Sequence, residues 1–196
     1  MEIIMSGWLT SGVPLLGSAT GSETVSFDTN GANGVNPQTA AISLQQLALD
    51  VSLYATKLDK TMVAGTRYYT SYTIGVPQVF TGGMVEVGGT GGTDLWNIEL
   101  HSPTGATLAT TLLTGTTAGT ANTWQQIAFT STYTLTVPGV YWVVLQSNGN
   151  TAKFASINSP ISSLLTGSAA GTLGTAASIT PPTTYTANLG PKIVLY

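Results

Sequence analysis

From residue 127 to residue 137 the chain sets Ile127, Phe129, Tyr133, Leu135 and Val137 on odd positions, with Ala128, Thr130, Thr132, Thr134 and Thr136 on even ones. A helix repeats about every 3.6 residues and would scatter these apolar groups round its axis. A strand sends successive side chains to opposite faces, so the pattern specifies a half-buried strand. Pro138-Gly139 turns the chain. Val140-Tyr141-Trp142-Val143-Val144-Leu145 follows, apolar on both faces, as a strand in the middle of a sheet is. Ser147-Asn148-Gly149-Asn150 then turns it into Ala152 to Ile157.

Other stretches read the same way. Tyr68, Thr70, Tyr72, Ile74 and Val76 alternate with their neighbours, and Val79 to Val87 is a strand with a bulge expected at Gly82-Gly83. Trp96, Ile98 and Leu100 share one face of a further strand, and Asn97, Glu99 and His101 share the other. Pro103-Thr104-Gly105 turns the chain back through Leu108 to Leu113. Residues 192–196 read as a last strand, and residues 158–190, low in complexity, as a long surface loop. Seven to nine short strands separated by turns predict a mainly β protein, with an antiparallel β-sandwich or jelly roll over residues 63–196.

Two zones precede it. Residues 1–36 are rich in Gly, Ser, Thr and Asn around apolar islands, and their glycines and Pro14 forbid a long helix. They read as an extended arm that orders against a partner. At Asn36-Pro37 an N-cap and a first-turn proline open a predicted α-helix over residues 37–62. In it Leu44, Leu47, Val51, Tyr54 and Leu58 recur at spacings of three and four, a heptad seam, with Lys57 and Lys60 in the last turn. Such a helix packs either on its own domain or on copies of itself. Ile42, Leu49 and Leu53 are apolar off the seam, which favours a coiled-coil-like bundle and a homotrimer.

Charge narrows the function. Only 7% of residues are charged, against about 25% in an average soluble protein. With 42% hydrophobic residues the chain is not disordered in type, and its neutral polar surface does little to repel neighbouring copies. A net charge of -3, with five scattered cations, argues against nucleic acid. Cysteine is absent, which excludes disulfides and thiolate metal sites. Neither a secretory signal nor a run long enough for membrane insertion is evident, so a soluble chain made in the cytoplasm is expected.

The residues that carry chemistry are few. His101 is the one histidine, and no serine is placed beside it and Glu99 as a nucleophile; a surface histidine is expected. Glu86, Asp94 and Glu99 are too sparse to make a paired-carboxylate glycosidase the leading reading. Gly88-Gly89-Thr90-Gly91-Gly92 lacks the lysine and helix of a phosphate loop and reads as a strand connection. Asp94 with loop carbonyls is the most Ca²⁺-like setting, but no metal site and no cofactor is expected. Trp96 and Trp142 read as core. Trp124 falls on the even, outward face and is the candidate for contact with a glycan.

The segment Thr20-Gly21-Ser22-Glu23, Asp28-Thr29, then Gly34-Val35-Asn36-Pro37-Gln38-Thr39-Ala40-Ala41-Ile42-Ser43 and Gln46-Leu47-Ala48 resembles a leader of tailed-bacteriophage virion proteins that precedes a trimeric distal domain. Pro138-Gly139-Val140-Tyr141-Trp142 is similar to an element common in the jelly-roll tips of such proteins. The resemblance implies a non-enzymatic virion protein made in the host cytoplasm. It would be a capsid decoration protein or head fibre whose arm docks on the major capsid or another virion protein, with Trp8, Leu15, Leu16 and Phe27 as docking residues. Its alternative is a tail-fibre adhesin recognising a host surface glycan. A glycan-cleaving enzyme and a free-standing carbohydrate-binding module are further rivals.

Overall fold

A computed structural model describes residues 57–158 and 164–196. These residues form strands β1 (Lys57–Thr61), β2 (Thr66–Ile74), β3 (Gln78–Glu86), β4 (Leu95–His101), β5 (Thr107–Thr110) and β6 (Thr116–Thr117). The remainder are β7 (Trp124–Leu135), β8 (Gly139–Ser147), β9 (Lys153–Ile157), β10 (Thr166–Ala170) and β11 (Ile193–Leu195). Every ladder is antiparallel. The first sheet runs β10-β2-β8-β4-β5, with β6 also on β4. The second runs β11-β3-β7. The β1-β9 pair adjoins it, because Val87 bridges Phe154, Ser156 bridges Pro191, and the Lys192 N–H donates to the Ala155 carbonyl at 2.9 Å.

The pairings nest. β4 pairs with β5, β3 with β7, β2 with β8, and β1 with β9, so each outer ladder encloses the one inside it in sequence. The two sheets share a core. Tyr68, Ile74, Trp96, Ile98, Leu100, Val143 and Leu145 come from one side, and Phe80, Val85, Ile127, Phe129, Leu135, Ile193 and Leu195 from the other. The Tyr68 and Phe154 rings meet at 5.1 Å, tilted by 52°. Each such side chain stabilises the fold by about 1.5–3 kcal/mol through burial.

The alternation of β7 is as expected through Leu135: Ile127, Phe129 and Leu135 are buried, and Ala128, Thr130, Thr132 and Thr134 are exposed. It stops there, and Val137 is 63% exposed in the following turn. β8 is central and buried from Tyr141 to Ser147, also as expected. The register of β3 slips between Phe80 and Gly82, one residue before the expected bulge. The Tyr196 ring lies over Gly82, where any Cβ would collide with it.

Two expectations are corrected. Residues 57–61 are strand, not the last turn of a helix. Leu58 therefore lies on β1, 40% exposed, and is no member of a helical seam, and the β-domain begins at least as early as residue 57. Pairing with β9 selects the strand, since a five-residue antiparallel ladder gives the backbone groups on that side of β1 their partners. Lys60 does not serve a helix end but sits 5.8 Å from the Tyr68 ring centroid. Residues 164–190 are likewise no plain surface loop: β10 extends the first sheet, and Leu164, Thr166 and Ile179 are buried. Trp8, Leu15, Leu16, Phe27, Leu44, Leu47, Val51 and Tyr54, with the arm, lie outside the described residues.

Candidate functional site

The titratable groups gather on the outer faces of the two sheets, and the two gatherings differ. On β4 the side opposite the core carries Asn97, Glu99 and His101, as the alternation required. The expectation that His101 lies at the surface is wrong, because the ring and the Glu99 carboxylate are both fully buried. His101 Nε2 lies 2.7 Å from Glu99 Oε2, and Nδ1 lies 2.9 Å from the Gly105 carbonyl. A carbonyl only accepts, so Nδ1 carries a proton, and a second proton lies between Nε2 and the carboxylate. With both nitrogens occupied and no exposed surface, this imidazole has no free lone pair to offer a substrate.

The cover over this face is the segment that follows β10. Ile179 donates its N–H to the Gly105 carbonyl at 2.9 Å and packs with Tyr69, Trp142 and Val144. Gly105 has φ of +89°, and a Cβ there would strike the Ile179 carbonyl, so the turn and its cover both require glycine. Arg67, also buried, donates to the carbonyls of Thr175 at 2.5 Å and of Ala177. The Gln146 amide stands between Arg67 and Glu99. With its oxygen toward the guanidinium it accepts from Arg67, and its nitrogen then donates to the Thr172 carbonyl at 3.2 Å. The opposite orientation would set an amide N–H₂ against guanidinium donors. Trp96 and Trp142 are both buried as expected, but Trp96 is in the shared core and Trp142 under this cover.

The outer face of the second sheet is open in part, at Trp124 and Lys57, while Glu86 and Lys192 on it are buried. Lys57 Nζ lies 2.6 Å from Glu86 Oε1, and Lys192 Nζ lies 3.2 Å from Oε2. Glu86 is directly opposite Trp124 in the β3-β7 register, so carboxylate and indole share a face. Trp124 is 40% exposed, as its even position implied. Asp59 on β1 accepts the Gly89 N–H at 2.8 Å and so closes one side of the Gly88-to-Gly92 connection. That connection enters no helix, in keeping with its reading as a strand link.

Asp94 is tied to the backbone through one carboxylate oxygen. Its Oδ2 accepts the N–H groups of Thr151 and Ala152, each at 2.8 Å, and so ties down the turn after β8. Among the described residues no cluster of three or more His, Asp or Glu side chains is placed to hold a metal ion. A depression of about 470 Å³ at the other end of that turn is floored by Leu95, Leu113 and Leu173 and rimmed by Thr114, Asn148 and Thr172, without a charged side chain. No helix among the described residues is long and apolar enough to cross a membrane.

The Glu86 cluster escaped sequence reasoning because its members are far apart in the chain, and only strand order joins them. The covered face did leave a signal. A strand apolar on both sides, as β8 is, requires a layer over each, and Ile179 is one of the few large apolar residues in the segment after β10. Comparison with protein-family models, with characterised proteins and with solved structures finds no match to this chain.

Proposed function

We propose that this chain is a non-enzymatic structural protein of a tailed-bacteriophage particle, a trimeric capsid decoration protein or head fibre. Residues 1–36 dock it to the particle, the heptad-patterned residues before β1 hold three copies together, and the β-domain projects outward. The nested ladders support reading that domain as a β-sandwich of the jelly-roll kind. The observation that carries the non-enzymatic part is the fate of the acids. Asp59, Glu86, Asp94 and Glu99 are all held by structural partners: a glycine amide, two lysines, two turn amides, and a buried histidine. The leader resemblance at residues 20–48 supports the particle. Docking of many copies poor in charged residues would stabilise a shell by mass action, since the assembled lattice binds them and the dissociated one does not.

Light scattering behind size exclusion tests the trimer. A mass near 60 kDa, three times 20.1 kDa, is expected for the full chain, falling when residues 1–56 are removed. A monomer in both forms sinks it. Counting copies in purified particles tests the placement: a decoration protein is abundant, a tail adhesin scarce. The exposure of Trp124 beside a fixed carboxylate favours the adhesin as second reading, in which the outward domain recognises a host glycan.

A further inference from the structure

The outer face of the second sheet and of the β1-β9 pair beside it holds three of the chain's five cations, Lys57, Lys153 and Lys192, against two carboxylates, Asp59 and Glu86. It is thus locally positive by one charge on a chain whose formal net charge is -3. Its parts differ in exposure. The Lys192 side chain is 5% exposed and locks Glu86 from below, whereas the Lys57 side chain is 37% exposed. An ammonium has three N–H donors. The contact with Glu86 uses one of those on Lys57, and the exposed remainder faces solvent. Trp124, which faces the same Glu86 across the β3-β7 ladder, offers a flat apolar surface, and Gln126, the next residue on that face, offers an exposed amide.

An exposed indole and a partly exposed ammonium that both adjoin Glu86, with an amide on the same face, match a ring that has an apolar face and an anionic substituent. A stable protein contact instead needs on the order of 1,000 Å² with an apolar centre, and the neighbours of Trp124 on this face include Glu86 and Gln126, which are polar.

We propose that this face binds an acidic saccharide, its ring stacked on Trp124 and its carboxylate, sulfate or phosphate on the Lys57 ammonium. Glu86 acts as a positioning residue, holding Lys57 above the sheet. The inference rests on the reading of the β-domain as outward-facing, and it names the class of glycan that domain would take.

The test is calorimetric titration of the full chain with oligogalacturonate, with a sulfated oligosaccharide and with a neutral cello-oligosaccharide, alongside tryptophan fluorescence. At least one acidic ligand is expected to bind about tenfold more tightly than the neutral one, more weakly as salt rises. Trp124→Ala and Lys57→Gln should each cost about tenfold in affinity, Trp124→Phe should recover part of the first loss, and Val137→Ser at the far turn should change nothing. Equal binding of the neutral ligand overturns the anionic assignment but leaves the adhesin reading standing. Acidic binding that Trp124→Ala does not weaken overturns the location. Failure of every saccharide to bind, with capsid binding intact, overturns the inference and leaves the decoration reading.

Discussion

The two sheets share one core and use the same alternation, yet their outer faces differ. That of the first sheet lies under the segment after β10, with Trp142, Tyr69 and the Glu99–His101 pair sealed from water. That of the second is open at Trp124 and Lys57. The difference shows that a period-two pattern assigns residues to faces without saying what lies over each face. On the first outer face Arg67 and Gln146 bind the backbone of the covering segment, whereas on the second Trp124 and Lys57 meet solvent beside a buried Glu86–Lys192 pair.

The largest effect expected from this contrast is at Glu99. Glu99→Ala leaves a buried imidazole without its acceptor and should cost about 3–5 kcal/mol, read from denaturant unfolding. A cost under about 1 kcal/mol would mean that the cover lifts and admits water, which erases the distinction between the faces. Ile179→Ala, which thins the cover itself, should cost about 2–3 kcal/mol and leave the second face unchanged.

Alkali offers a gentler probe. Burial raises the pKa of Tyr69 above 10.0, and it does the same for Tyr68 in the core. Below that pH both phenols are protonated, folded or unfolded, and their contribution to stability is intact. As pH rises past 10.0 the unfolded chain loses its phenol protons first, so stability falls until the folded value is passed. Tyr69→Phe should flatten part of this fall in a melting series at rising pH; an unaltered slope would place Tyr69 in contact with water. The smallest effects belong to the open face, where Trp124→Ala and Lys57→Gln should each change stability by less than about 1 kcal/mol. A larger loss at Trp124 would show that this face, too, is packed.

How much could be read in advance follows from the same contrast. β7 and β8 were predictable because their patterns are long and pure, and the outward position of Trp124 followed from parity alone. The end of the predicted helix failed at residues 57–61, where Lys-Leu-Asp-Lys-Thr suits either state and pairing with β9 selects the strand. Local propensity is a weak prior against a full ladder of hydrogen bonds. The burial of His101 escapes the sequence for a related reason: parity gives its face, but its cover comes from a Gly-, Ala- and Thr-rich segment whose contribution is mostly backbone carbonyls. Such a contribution leaves little trace in side-chain chemistry.

The nesting of the ladders also sets an order of events during synthesis. β4 and β5 are near neighbours in the chain, whereas Lys57 must wait for Ile157 before its partner exists. The inner ladders therefore have both strands available first, and β1, the strand that follows directly on the heptad-patterned residues, is the last of the four whose partner is synthesised. Long-range pairing of this kind folds slowly. Three copies that met through residues before β1 would do so while their β-domains were still completing, so the joining of chains and the closing of each domain would be linked in time.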